Sequence, residues 1–190
     1  MQHDTNAIST APASATHKET AGLAAEIGKR DPFDVPEEEV YLNLLRTTAW
    51  LNEGTAALFK QAGLSVPLYN ILRILTGYAK RHETDGTDFH GLPVSGIAQH
   101  MLTREPDMTR LIDRLEKLGL VERSRCPSDR RRVLVVPTRD GTSVTADLKP
   151  ALEALHREHL GHLSADEQST LNQLLHKARA RMHASDDHAG

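Results

Sequence analysis

Aromatic residues are scarce in this 190-residue chain, at 4% of the sequence. Nucleic-acid binding by base-stacking platforms needs exposed rings in series, and this composition disfavours it. Cysteine occurs once, at Cys126, so no internal disulfide can form, in agreement with a reducing compartment. No apolar run approaches the length of about 18 residues that a membrane span needs. The first twenty residues lack the apolar stretch of a secretory signal, so a cytoplasmic address is expected. HExxH, GxSxG, a Gly-rich phosphate loop and paired cysteines are all missing. No enzyme class is therefore suggested, and no cofactor is called for.

Hydrophobic residues at 38% and charged residues at 26% are ordinary for a globular protein able to bury a core. The net charge of −3 argues against DNA at first sight, but its distribution does not. Between Val121 and Arg132 stand Arg123, Arg125, Arg130, Arg131 and Arg132, opposed only by Glu122 and Asp129. Acid gathers elsewhere, at Asp31, Asp34, Glu37 to Glu39, Asp186 and Asp187. A local basic patch on an otherwise acidic chain suits a protein that touches phosphate over one small surface.

Residues 1–35 read as an N-terminal tail, mobile or with a short helix near Lys18 to Lys29, interrupted by Pro32 and Pro36. Pro36 followed by three glutamates predicts a helix start. Tyr41, Leu44, Thr48, Leu51, Thr55 and Leu58 then recur in steps of three and four, a seam suited to dimer contact, and Gly63 ends the helix. A second helix is expected over Pro67 to Lys80, followed by a loop from Arg81 to Gly91. After Pro93 comes a brief helix around Ile97, Ala98 and Met101, then Thr103 as the expected N-cap of another, with Glu105 and Pro106 in its first turn. Met108, Leu111, Ile112 and Leu115 give that helix its core face, and Gly119 closes it. Val121 to Arg125 and Arg132 to Val136 read as strands around the turn Cys126 to Asp129. A helix from Thr138 to about His162 is expected to kink or break at Pro150. Ser164 and Glu167 match a capping box before a final helix with Leu171, Leu174, Leu175, Ala178 and Met182.

This order predicts a mainly α fold with a small β-hairpin: a winged helix-turn-helix at residues 65–141, flanked by helical regions at 36–62 and 142–185. With the recognition helix starting near Arg104, its N-terminal part enters the major groove, which brings Arg104, Asp107, Thr109 and Arg110 nearest to bases or phosphates. Asp113, Arg114 and Lys117 follow on the same outward side. Asp113 cannot face phosphate cheaply and is expected to hold an arginine in place. At the hairpin turn, Arg130, Arg131 and Arg132 can reach a narrow minor groove, with Asp129 placed to orient one of them.

Thr109-Arg110-Leu111, Asp113-Arg114-Leu115-Glu116, Gly119-Leu120-Val121, Asp129-Arg130-Arg131 and Thr138 to Gly141 follow one another without a gap. Together they resemble the MarR family of bacterial transcription regulators, and the helix order extends the resemblance over roughly residues 37–183. The resemblance implies a homodimer joined by the first and last two helices, a dimerisation region at 36–62 and 142–185, with two winged lobes on a pseudo-palindromic stretch of double-stranded DNA. It also implies that Arg131 enters the minor groove, braced by Asp129. Pro137 departs from the family's usual leucine and is expected to end the wing strand early.

The family's effector cleft would be bordered here by Trp50, Tyr69, Arg73 and His100, for a small aromatic or anionic molecule. Urate-responsive relatives carry an aspartate where Asn70 stands, which counts against that ligand. Peroxide sensors of the family carry their cysteine in the first helix, where this chain has none. His156, His159 and His162 spread around a helix and read as solvated rather than metal-binding. A ligand-responsive repressor is thus expected. The alternatives are a metal- or thiol-responsive regulator of the same fold, and a winged-helix module for protein contacts without DNA.

Overall fold

The computed structural model describes residues 22–126, 129 and 132–186; the expectations for residues 1–21, Arg130 and Arg131 lie outside them. The elements run α1 (Leu23–Glu26), α2 (Pro36–Gln61), α3 (Val66–Thr84), α4 (Val94–Gln99), α5 (Met108–Lys117), β1 (Val121–Arg125), β2 (Val133–Pro137), α6 (Arg139–Leu160) and α7 (Ala165–Asp186). Internal contacts divide the chain into two units after Thr48, within α2.

In the first unit α1 is a single four-residue turn, well short of Lys29, because Gly28 adopts φ +71 and turns the chain out of the helix. Glu26 pairs with Arg46 at 2.7 Å, and the Lys29 ammonium lies 5.4 Å from the centre of the Phe33 ring. Pro36 opens α2 with Glu37, Glu38 and Glu39 in its first turn, where the helix dipole favours acids. Of the expected seam, Tyr41, Leu44 and Thr48 are exposed in the isolated chain, as are their neighbours Val40 and Leu45.

The second unit holds the core. Leu68, Ile71, Leu72 and Leu75 of α3 have no exposed surface, and they meet Ile97, Ile112, Leu115, Val121 and Val135 in one cluster. Tyr69 stacks on Phe59 with ring centroids 4.1 Å apart. The helix α3 continues four residues past Lys80, because its exposed polar last turn needs no apolar signal to propagate; Gly86 at φ +65 ends it. The loop that follows is not featureless. Leu92 and Val135 exchange both backbone hydrogen bonds, at 3.0 and 2.8 Å. Gly91 makes this possible at φ +105, where a Cβ would stand 2.7 Å from the Val135 carbonyl oxygen.

The strands β1 and β2 pair antiparallel from Val121 opposite Pro137 to Arg125 opposite Val133. Pro137 is thus the last paired residue of β2 and does not shorten it, contrary to expectation; a proline is tolerated at a strand's end. Thr138 joins wing to helix: its hydroxyl donates to the Gly119 carbonyl at 2.7 Å and accepts from the Gly141 amide at 3.1 Å. Gly141 packs so closely on the Leu120 carbonyl that a Cβ would overlap it. The helix α6 runs unbroken through Pro150, so of the expected kink or break the break does not occur. Its last turns correct a second expectation: His159 is buried, its ring 4.5 Å from that of Trp50, where Gly54 leaves room for the imidazole.

The capping box forms at the head of α7. Ser164 Oγ accepts from the Glu167 amide at 3.3 Å, and the Glu167 carboxylate accepts from the Ser164 amide at 2.8 Å. The Ser164 amide, and after it the Ser164 hydroxyl, which also donates to the carboxylate at 2.8 Å, hold the Glu167 carboxyl below its ordinary range. Among the described residues no helix is long and apolar enough to cross a membrane.

Candidate nucleic-acid interface

The recognition helix begins at Met108, not near Arg104, and its N-cap is Asp107. Pro106 disfavours helical geometry at the residue before it, so a helix cannot start comfortably at Thr103. The Thr103 hydroxyl instead donates to Glu105 at 2.9 Å, while the Asp107 carboxylate accepts from the Arg110 amide at 3.1 Å. Arg104 therefore sits in the turn ahead of α5, and Asp107 has a structural task at its head.

Burial sorts the rest of the helix. Met108, Ile112 and Leu115 are buried, while Thr109, Arg110, Arg114 and Lys117 are exposed. Arg110, Arg114 and Lys117 border a concavity of about 510 Å³. Two acids, Asp113 and Glu116, stand on this helix too, and both are claimed by one guanidinium. Arg123 of β1 donates through Nη2 to Asp113 Oδ1 and through Nη1 to Glu116 Oε2. The hydrogen bond to Asp113 comes first among the causes that raise the Arg123 pKa above its ordinary value. Asp113 does hold an arginine, as its position suggested.

Arg123 itself was missed by sequence reasoning, which treated the wing arginines as one group. A usable signal existed. Asp113 and Glu116, three apart on one helix side, suit a common cation, and Arg123 stands in the middle of the strand that must return past them.

At the hairpin the Arg132 amide donates to the Asp129 carbonyl at 2.9 Å, and the Cys126 amide to the Arg132 carbonyl at 3.0 Å. Arg132 is exposed at the base of the turn, and Cys126 is buried beside it. Arg130 and Arg131, with the bracing of Arg131 by Asp129, fall outside the described residues.

The four expected effector residues have different neighbours. Trp50 lies against His159, and His100 is hydrogen-bonded to the Tyr78 hydroxyl at 2.7 Å. Tyr69 and Arg73 do come together along one cavity. Burial raises the Tyr69 pKa above its ordinary value of 10.0, with Arg73 acting in the opposite direction. Among the described residues no three His, Cys, Asp or Glu side chains cluster as a metal site.

A short helix, a turn, a second helix with a cationic outer face and an antiparallel hairpin behind it make a winged helix-turn-helix, a fold of DNA-binding regulators. The sequence model of the MarR family matches residues 88–133. A MarR transcription factor from Planctomyces limnophilus is 37% identical; the likeness covers 76% of this chain and 98% of that one, with a TM-score of 0.54. Transcriptional regulator HosA of Escherichia coli O111:H- is 27% identical over 114 residues, 60% of this chain and 76% of its own length. The fold is also that of a mutant E. coli MarR complexed with operator DNA, at 22% identity and a TM-score of 0.62 over 83% of this chain and 99% of that one. The chain belongs to the MarR family and is a transcription regulator.

Proposed function

We propose that this regulator is a homodimeric repressor that binds a pseudo-palindromic operator, with α5 in the major groove and the wing in the minor groove. The observation that carries this reading is the face of α5. Thr109, Arg110, Arg114 and Lys117 are exposed together, and two of the acids on the helix, Asp113 and Glu116, are paired with Arg123. Arg110 and Arg114 are suited to bidentate contact with guanine, and Arg130, Arg131 and Arg132 to the minor groove. E. coli MarR, which shares the fold, binds operator DNA.

Residues 65–141 serve as the DNA-binding domain, and 36–62 with 142–185 as the dimerisation region. Support for the latter is the apolar surface left uncovered on Val40, Tyr41, Leu44 and Leu45 of α2 and on Leu171 and Leu174 of α7. The protein works in the cytoplasm and catalyses no reaction. A small effector releases it: the dimer must span half-sites about one helical turn apart, so a few ångströms of mismatch weakens both contacts together.

The test is binding to duplexes from the protein's own promoter region across a salt series. Affinity should fall steeply with salt, and Arg110→Ala and Arg131→Ala should each weaken it. Salt-independent binding, or none to any fragment, would overturn the reading in favour of a protein-contact module.

A further inference from the structure

Between Arg104 and Lys117 the sequence holds four acids, Glu105, Asp107, Asp113 and Glu116, on or just ahead of a helix whose outer face is cationic. Three of them have a task. Asp107 caps α5 by accepting from the Arg110 amide at 3.1 Å, and Asp113 and Glu116 are both paired with Arg123. Glu105 is different. It makes no ion pair among the described residues, and its Oε1 accepts from the Thr103 hydroxyl at 2.9 Å.

This carboxylate is held in place. Glu105 is half-buried, Pro106 confines the backbone of the residue before it to extended geometry, and Thr103 supplies the donor. The start of α5 does not need it, because Asp107 already caps the helix. Glu105 also borders the same concavity as Arg110, Arg114 and Lys117.

A fixed negative charge on a surface that meets a polyanion weakens binding to every sequence, unless it finds a donor there. The donors of the major groove are the amino groups of cytosine and adenine. Adenine carries the acceptor N7 beside its amino group, and a carboxylate is repelled by it. Cytosine has no second acceptor on that edge, and its paired guanine offers O6 and N7, which suit the guanidinium of Arg110.

We propose that Glu105 is a specificity-determining residue that accepts a hydrogen bond from cytosine N4, so that each half-site carries a cytosine whose amino group the protein reads. This role deepens the operator-binding reading and rests on it. Thr103 is a positioning residue: it aims the carboxylate and leaves the contact with the base to Glu105.

The full-length protein is used to select duplexes from a randomised library, with Glu105→Ala and Thr103→Val in parallel, and the bound pools are sequenced. Wild type should require one cytosine per half-site that Glu105→Ala selects about ten-fold less strongly, with preferences elsewhere unchanged. Thr103→Val should relax the same position to a smaller extent, and an unchanged preference there would overturn its positioning role. In the selected duplex that cytosine is then replaced by pyrimidin-2-one, which keeps the ring and lacks the amino group. By fluorescence anisotropy the replacement should weaken wild type about ten-fold and Glu105→Ala hardly at all. Circular dichroism checks the fold of each variant, and the modified base tests wild type without any substitution. Equal sensitivity of wild type and Glu105→Ala to the missing amino group overturns the proposal. So does a Glu105→Ala protein that binds every duplex more tightly by one common factor with wild-type preferences, since Glu105 then acts only as a charge near phosphate. In both cases DNA is still bound and the repressor reading stands; wild type that binds no duplex in a salt-dependent way sinks that reading and this inference with it.

Discussion

Leu72 and Leu44 are both helical leucines in patterned segments, yet Leu72 has no exposed surface and Leu44 leaves 40% of its own open. The contrast extends to whole regions. The helices α3, α4 and α5 close with the wing around one cluster of side chains, whereas α7 has no buried residue among those described and α2 buries only Phe59. The winged-helix region is satisfied by its own sequence neighbours. The long helices carry apolar residues that this chain alone does not cover, and the proposed dimer would be their remaining partner.

The comparison is broken most sharply by truncating one leucine of each kind. Leu72→Ala should cost about 3 kcal/mol in urea unfolding, the usual loss for a fully buried leucine. Leu44→Ala should leave the dilute protein within about 0.5 kcal/mol of wild type but make its melting more dependent on concentration. Equal losses at both sites would refute the division into self-sufficient and partner-dependent regions.

Gly141→Ala comes next. The added methyl overlaps the Leu120 carbonyl, which belongs to the backbone and cannot turn aside, so a loss of about 2 kcal/mol is expected. Gly54→Ala meets only the His159 and Leu155 side chains, at 3.1 Å, and should be milder in the same thermal melt.

Within the winged region, Arg123→Met should reduce DNA affinity about thirty-fold, since each of the two freed carboxylates near phosphate costs on the order of 1 kcal/mol. Stability should hardly change, because the pairs are partly exposed. Adding Asp113→Asn and Glu116→Gln should restore the affinity; a failure to recover would assign Arg123 a direct contact with DNA instead.

The two smallest effects concern pH and have opposite signs. The Tyr69 pKa is raised in the folded protein, so its contribution is complete below pH 10.0 and is lost as pH rises through the folded value. In a tyrosinate absorbance titration, Tyr69→Phe should remove a component that ionises above pH 10.0. The Glu167 pKa is lowered, so its contribution is complete above 4.5 and is lost as pH falls through the folded value. Acidification should fray the start of α7 in wild type, and Glu167→Gln should flatten that response in helical circular dichroism.

Much of this was legible wherever a local rule acts alone. The apolar spacing of α5, the capping box at Ser164 and the strand β1 all stand where their residues predicted. Errors arose where local rules compete. Thr103 and Asp107 are both good caps, and the choice fell to Pro106. Polar residues from Arg81 to Thr84 resemble a loop but continue a helix already nucleated. Pro150 suggested a break, yet α6 runs on through it. His159 read as solvated because nothing in its own helix announces Trp50 on another.

The sequence by itself determined the periodicities, the turns, the caps and the basic wing that mark the family, because each depends on residues within a few positions of one another. Tertiary structure alone decided that Arg123 binds Asp113 and Glu116, that Leu92 pairs with Val135, and that Arg73 and Lys149 face one groove. Those choices join residues far apart in the chain. They depend on which faces come together once the core has closed, a condition that no local pattern encodes.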